Sequence, residues 1–163
     1  MQASCRHRAI EQMFRRATQA DVKVVRDLTR AAYAKWVPLI GREPKPMLAN
    51  YEQAVSQHII DLYEAEGEIV GLVEVIPHAQ YLLIENVAVL PRQQGKGLGD
   101  LLLTHTEGLA RSLNLNELWL YTNSAFALNI EFYARRGFHE FLREPFHLGG
   151  VTVHMKKVIA LLD

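Results

Sequence analysis

The sequence predicts a single α/β domain in which a mixed sheet carries helices on both faces, and three observations predict it. Short apolar runs with two-residue alternation are interleaved with segments whose apolar residues recur at three and four. The run 81–89 is almost wholly apolar, as expected of a central strand covered on both faces. A glycine-rich turn at 94–99 joins that run directly to a long amphipathic segment.

The elements follow in order. Residues 13–16 read as a short first strand. Thr18 and Asp21 have capping-box spacing, with Asp in place of the usual Glu, and start a helix. Along it Val22, Val25, Leu28, Thr29, Ala32 and Trp36 form one stripe, and Pro38 and Gly41 end it. Residues 41–46 form a loop, and a second helix runs from about 48 to 58. Residues 59–64 and 69–76 are strands of a hairpin turning around Gly67. After the central strand and its turn, Leu98, Leu101, Leu102, His105, Leu109 and Leu113 line one helix face; Asp100, Thr104, Glu107 and Arg111 line the other. Residues 118–121 read as a strand, 124–136 as a helix and 137–142 as a strand. Gly149 and Gly150 then turn the chain into an alternating terminal strand, 151–155. This order, β-α-α-β-β-β-α-β-α-β-β, gives about seven strands and about four helices.

Composition narrows the function classes. The chain has 163 residues, room for one ordinary domain, and shows no internal repeat or linker. Its 49% hydrophobic and 22% charged residues argue against disorder. Eighteen basic and eighteen acidic side chains cancel, so no global field recruits nucleic acid or an anionic membrane. Cys5 is the only cysteine, which excludes an internal disulfide and fits a reducing, cytoplasmic setting. No apolar run approaches the ~18 residues of a membrane span. Residues 1–12 are polar, without the apolar stretch of a signal peptide, and predict a loose extension before a domain at 13–163. The seven histidines are scattered without zinc spacing, so no metal is assigned.

Gln94-Gly95-Lys96-Gly97-Leu98-Gly99 carries the main chemical information. Glycines at alternate positions between a strand and a helix leave backbone N–H groups uncovered beside a helix N-terminus, an arrangement that favours phosphate. A dinucleotide fingerprint needs its third glycine three positions beyond the second, and Gly99 follows Gly97 by two. A P-loop needs Gly-Lys-Ser/Thr, and here Lys96 precedes Gly97. A tight turn whose glycines only supply unusual dihedrals is the competing reading.

With these residues the chain resembles the GNAT N-acetyltransferase superfamily over nearly its whole length. The family's Gln/Arg-x-x-Gly-x-Gly/Ala motif after a Val-x-Pro strand end is matched by Val89-Leu90-Pro91 and residues 94–99. Its later landmark, an aromatic pair and Gly-Phe, is matched by Phe132-Tyr133 and Gly137-Phe138, and its start by Arg16-Ala17-Thr18 with Asp21. The resemblance implies a mostly antiparallel sheet and acetyl-CoA as cosubstrate. It further implies transfer of the acetyl group to a primary amine of a small molecule, amino acid or peptide, by direct attack in a ternary complex. Backbone groups of Val87, Ala88 and Val89 would hydrogen-bond the pantetheine arm like an added strand. Gln94 and the amides of Gly95, Lys96, Gly97, Leu98, Gly99 and Asp100 would hold the pyrophosphate. Two departures stand out. Asp100 brings a negative charge that helps only if it points away. Phe126 occupies the place of the family's usual Asn, leaving Asn123 and Asn129 as candidate coenzyme contacts, with Asn123 equally a helix cap.

The same resemblance implies catalytic roles. Tyr133 stands where the family's tyrosine protonates or hydrogen-bonds the departing sulfur; otherwise it is a core aromatic beside Phe132. Glu85, the only ionisable side chain in 82–89, matches a position from which some relatives draw a general base. A carboxylate there is costly unless paired or near water, so a structural ion pair or an anchor for the substrate ammonium is the alternative. Acceptor specificity is expected from the first two helices and their loop, here Tyr33, Trp36, Arg42 and Tyr51, together with Met47. These are aromatic-rich and not acidic, which argues against a polycationic substrate. Homodimers are common in the family and are an expectation by analogy. The competing function class is a non-catalytic acyl-CoA-binding or sensing module; Tyr133 and Glu85 beside an intact loop favour the enzyme.

Overall fold

In the computed structural model, which describes residues 13–161, one sheet runs through the whole domain. The extension expected over 1–12 lies outside the described residues. Strands β1 (Phe14–Arg16), β2 (Ile59–Ala65), β3 (Glu68–Pro77), β4 (Leu82–Val89), β5 (Glu117–Asn123), β6 (His139–Pro145) and β7 (Val151–Val158) lie in the order β1-β2-β3-β4-β5-β7-β6. Every neighbouring pair is antiparallel except β4 and β5. That parallel pair meets only over Leu82–Ile84 and Leu118–Leu120, and residues 85–89 and 121–123 part beyond it.

Helices cover both faces. Helix α1 (Val22–Tyr33) continues through a 3-10 turn at Ala34–Trp36 into α2 (Val37–Ile40); α3 (Lys45–Leu48) and α4 (Tyr51–Gln57) follow. Val25, Leu28 and Ala32 of α1 and Tyr51 and Ala54 of α4 pack on Ile60, Leu62, Leu72 and Ala88. Against the opposite face, α5 (Leu98–Ser112) and α6 (Ala127–Ala134) pack on Val73, Val75, Leu82, Ile84 and Leu118. Each fully buried Val or Leu contributes roughly 1.5–3 kcal/mol relative to exposure, so these two layers hold the sheet. Among the described residues no helix is long and apolar enough to cross a membrane.

A β-bulge in β4 decides how the site is built. Glu74 pairs with Asn86 and Val75 with Ile84, so Glu85 is an extra residue in the ladder. An inserted residue reverses which face even-numbered positions take. Leu82 and Ile84 accordingly join the α5 cluster, whereas Ala88 joins the α1–α4 cluster and Asn86 bonds to side chains of those helices. The near-continuous apolar character of this strand thus serves two opposed layers.

Several boundaries differ from the expectations. Pro38 does not end the first helix, because it sits in the first turn of α2, where a missing N–H costs nothing. Gly41 does end it, with φ of 71°. The second helix is broken at residues 49–50, where Asn50 Oδ1 accepts from Gln53 N–H (3.1 Å) to start α4. Residues 124–126 form a turn before α6 rather than its first turn, since Asn123 Oδ1 takes Ala125 N–H at 2.9 Å. On α5 the expected apolar face is rotated. Leu102, Leu103, Thr106 and Ala110 are buried while Leu113 is 40% exposed. The small Thr106 and Ala110 allow close approach to the sheet, which a ranking by hydrophobicity overlooks. Near the N-terminus Asp21 Oδ2 accepts from Thr18 N–H (2.8 Å), and Arg15 grips both its oxygens at 2.9 Å. The guanidinium holds the Asp21 carboxyl down to about 2.

Candidate active site

The divergence of β4 from β5 opens the sheet, and the register decides which backbone groups face the opening. Leu90 N–H donates to Val70 O (2.9 Å), so even-numbered residues of β4 beyond the bulge direct their backbone groups to β3. Val87 and Val89 direct theirs to the gap. Tyr33 hydroxyl donates to Val87 O (3.3 Å), and Gln94 Nε2 donates to Val89 O (3.0 Å), both from that side. Ala88, expected as a coenzyme contact, instead pairs with Leu72 in the ladder and is 1% exposed.

Beyond the strand the chain makes the glycine turn. Gly95 and Gly97 have φ of 76° and 83°, values that side chains with a Cβ avoid. Gly99 serves another purpose: a Cβ there would lie 2.7 Å from Phe132 Cζ, so its absence lets α5 approach α6. Among the described residues no acceptor takes the amides of residues 95–100, which sit on the first turn of α5 and just before it. Those donors and the helix dipole both favour an anion. The carboxylate of Asp100 pairs with Arg136, whose hydrogen bond and charge lower its pKa. The side chain of Gln94 braces the turn, taking Lys35 Nζ on Oε1 at 2.8 Å while its amide holds Val89.

Two clefts meet at the divergence. One is lined by Gln94, Val87, Val89 and Trp36 together with Gly95, Leu98 and Gly99 from the stretch of free amides. The other is lined by Arg42, Lys45, Glu85, Tyr121, Asn123 and Phe146 among others. Tyr33, Val87, Asn129 and Tyr133 line both. Tyr133 packs edge-on against Phe132 and Phe138, with ring centroids at 5.2 and 5.6 Å. Its hydroxyl has no protein partner among the described residues, and desolvation pushes its pKa up to about 12.

Glu85 is half-buried at the bulge, and its Oε1 accepts a 2.6 Å hydrogen bond from Tyr121 hydroxyl. Lys45 Nζ donates to that same hydroxyl at 2.8 Å and lies 3.5 Å from Glu85 Oε1. Burial and the adjacent carboxylate both raise the Tyr121 pKa, so the phenol stays protonated and can donate. On the other side of Glu85, Asn86 Nδ2 donates to Thr29 Oγ1 (3.0 Å) and Tyr51 Oη (3.4 Å). Behind it Glu74 is 2% exposed and 2.8 Å from His58 Nδ1, and burial pushes its carboxyl up.

The family model described as Acetyltransferase (GNAT) family matches residues 9–138. The chain belongs to this family. Among curated proteins, streptothricin acetyltransferase of Streptomyces lavendulae is 37% identical over 76 residues, 45% of this chain and 40% of that protein. An uncharacterized N-acetyltransferase of Chlorobaculum tepidum is 29% identical over 103 residues, 61% of this chain and 63% of that one. The chain thus spans less than two thirds of the length of both curated relatives. Among solved structures, the ribosomal-protein-S18-alanine N-acetyltransferase of Escherichia coli superposes with TM-score 0.73 at 19% identity, covering 92% of this chain and 95% of that one. A GNAT family acetyltransferase of Elizabethkingia anophelis with acetyl-CoA bound gives TM-score 0.72 at 17% identity, covering 90% and 97%. At such identities the structural likeness speaks for the GNAT fold.

On this GNAT fold the expected site residues sort clearly. Tyr133, Glu85, Tyr33, Arg42, Asn123 and Asn129 converge on the second cleft. Trp36 lies on the cleft of the glycine turn, stacked on Phe126 at 4.5 Å. Tyr51 is buried behind Asn86 and donates to Pro46 O (2.6 Å), and Met47 is buried in the core; neither lines the second cleft. Tyr121, Lys45 and Phe146 were not anticipated. Their place on this cleft comes from tertiary packing, which no local pattern encodes. Asn86 did leave a signal, as a polar residue inside an apolar strand.

Proposed function

We propose that the chain is an N-acetyltransferase, using acetyl-CoA to acetylate a primary amine by direct attack in a ternary complex. One observation carries this reading: a cleft with unpaired helix-start amides and a second cleft ending at a carboxylate share the walls Tyr33, Val87, Asn129 and Tyr133. The pyrophosphate would sit on the amides of residues 95–100, and the pantetheine arm would run along the gap-facing edge of Val87 and Val89. The thioester would then reach the junction beside Tyr133. The acetyltransferases among the relatives have different acceptors in their names, streptothricin in one and a ribosomal-protein alanine in another, so the acceptor must be sought in this chain's own pocket.

In this reading the amine attacks the thioester carbonyl and its C–N bond forms as the C–S bond breaks. The amine's proton passes to Glu85, directly or through a water, and Tyr121 keeps the receiving oxygen in place. Tyr133, held protonated by burial, donates a hydrogen bond to the developing thiolate. A thiol near 8.5 is a stronger acid than a phenol near 12, so that hydrogen bond stabilises the sulfur without needing complete proton transfer. Amine-dependent release of coenzyme A thiol tests the reading as a whole.

Glu85→Gln separates base from anchor. Gln keeps the size and can still accept from Tyr121, but it cannot take a proton. The expected result is a kcat lowered by about 10²-fold or more at saturating amine, with little change in acetyl-CoA affinity. A raised amine KM with kcat preserved would instead assign Glu85 to holding the ammonium.

A further inference from the structure

The second cleft carries a charge pattern that the transfer chemistry does not use. Among the described lining residues only Arg42, Lys45 and Glu85 are charged. Lys45 is answered by Glu85 at 3.5 Å. Arg42 has no carboxylate partner among the described residues. Its own neighbour Glu43 is taken by Arg30 (2.9 Å), and its Nη atoms donate only to the carbonyls of Glu43 (3.3 Å) and Gly149 (3.2 Å). Its guanidinium carbon lies 5.0 Å from the centroid of the Phe146 ring. A half-buried guanidinium so held is oriented before any ligand arrives, and it keeps donor capacity beyond its two carbonyl bonds.

Resting on the acetyl-transfer reading of this cleft, we propose that the acceptor is an amine that also carries a carboxylate, bound at that end by Arg42. The opposite charges of Glu85 and Arg42 on one cleft argue for it. Glu85 suits an incoming ammonium, while Arg42 offers a planar fork that matches a carboxylate. An acceptor bearing only amines leaves Arg42 facing like charge, which the cleft penalises.

The test uses matched pairs of acceptors: amino acids and their carboxamides, which keep the amine and remove the negative charge. Wild-type protein should acetylate the carboxylate member with kcat/KM about 10- to 100-fold above its carboxamide, the range expected for hydrogen bonds to a charged group. Arg42→Gln should collapse that ratio toward one, mainly through the KM of the carboxylate member, with acetyl-CoA affinity unchanged. Arg42→Lys should recover part of it. Comparing the ratio between variants cancels the different amine basicities within a pair. If Arg42 merely braces the β6–β7 hairpin through Gly149, both members weaken together and the ratio stays put, which overturns the proposal. Calorimetry of the same pairs, titrated into protein saturated with coenzyme A, reads recognition without transfer. Arg42-dependent binding of the carboxylate member without any acetylation would retain this inference and remove the transfer reading. Acetylation of amines irrespective of a carboxylate would do the reverse.

Discussion

Gly97→Val is expected to weaken acetyl-CoA binding by about 10²- to 10³-fold while leaving the domain folded. Gly97 holds φ of 83°, and a β-branched residue there is strained by about 1–2 kcal/mol. Relieving that strain turns the loop and disperses the amides of residues 95–100, forfeiting hydrogen bonds to charged phosphate worth roughly 1.5–3 kcal/mol. Losing one or two such bonds costs about 3–4 kcal/mol, and each 1.4 kcal/mol is tenfold in affinity. Nothing lies within 4 Å of a Cβ built at Gly97, so the substitution disturbs no core packing. Calorimetric titration with acetyl-CoA checks the affinity, and thermal unfolding checks the fold. A folded variant with wild-type affinity would show that the turn is only a turn.

Tyr133→Phe is expected to lower kcat by about 10²-fold or more, with small effects on either KM and on stability. The ring contacts with Phe132 and Phe138 survive the change, and the hydroxyl has no protein partner among the described residues to lose. In the proposed mechanism, removal of this donor therefore acts on the departing sulfur alone. The effect should shrink with a thioester whose thiol is more acidic, because a better leaving group depends less on the hydrogen bond. Steady-state rates with acetyl-CoA and with such a thioester measure both. A kcat within a few-fold of wild type, under conditions where chemistry limits turnover, returns Tyr133 to core packing.

Much of this architecture can be read locally. Period-two alternation marks β7, and the glycine turn announces both its positive dihedrals and its uncovered amides. What escapes local reading depends on strands meeting or parting. The β4–β5 pairing ends at Ile84 and Leu120, which sets Tyr121 beside Glu85, and α3 brings Lys45 to the same pair. The bulge that makes Glu85 an extra residue also moves Asn86 to the opposite layer from Ile84, and an alternating pattern read without the bulge misassigns it. Pro38 and Pro46 look like helix breakers, yet both occupy first-turn positions that tolerate proline, so helical structure reaches past the first and begins before the second.

The measurement that bears most directly on the whole account is thiol release from acetyl-CoA by wild-type protein in the presence of an amine panel, with products identified by mass. The account predicts that release depends on the amine, matches N-acetylated product mole for mole, and is fastest for amines that carry a carboxylate. Tight acetyl-CoA binding with no amine-dependent release across the panel would contradict it, and would make the chain a cofactor-binding module.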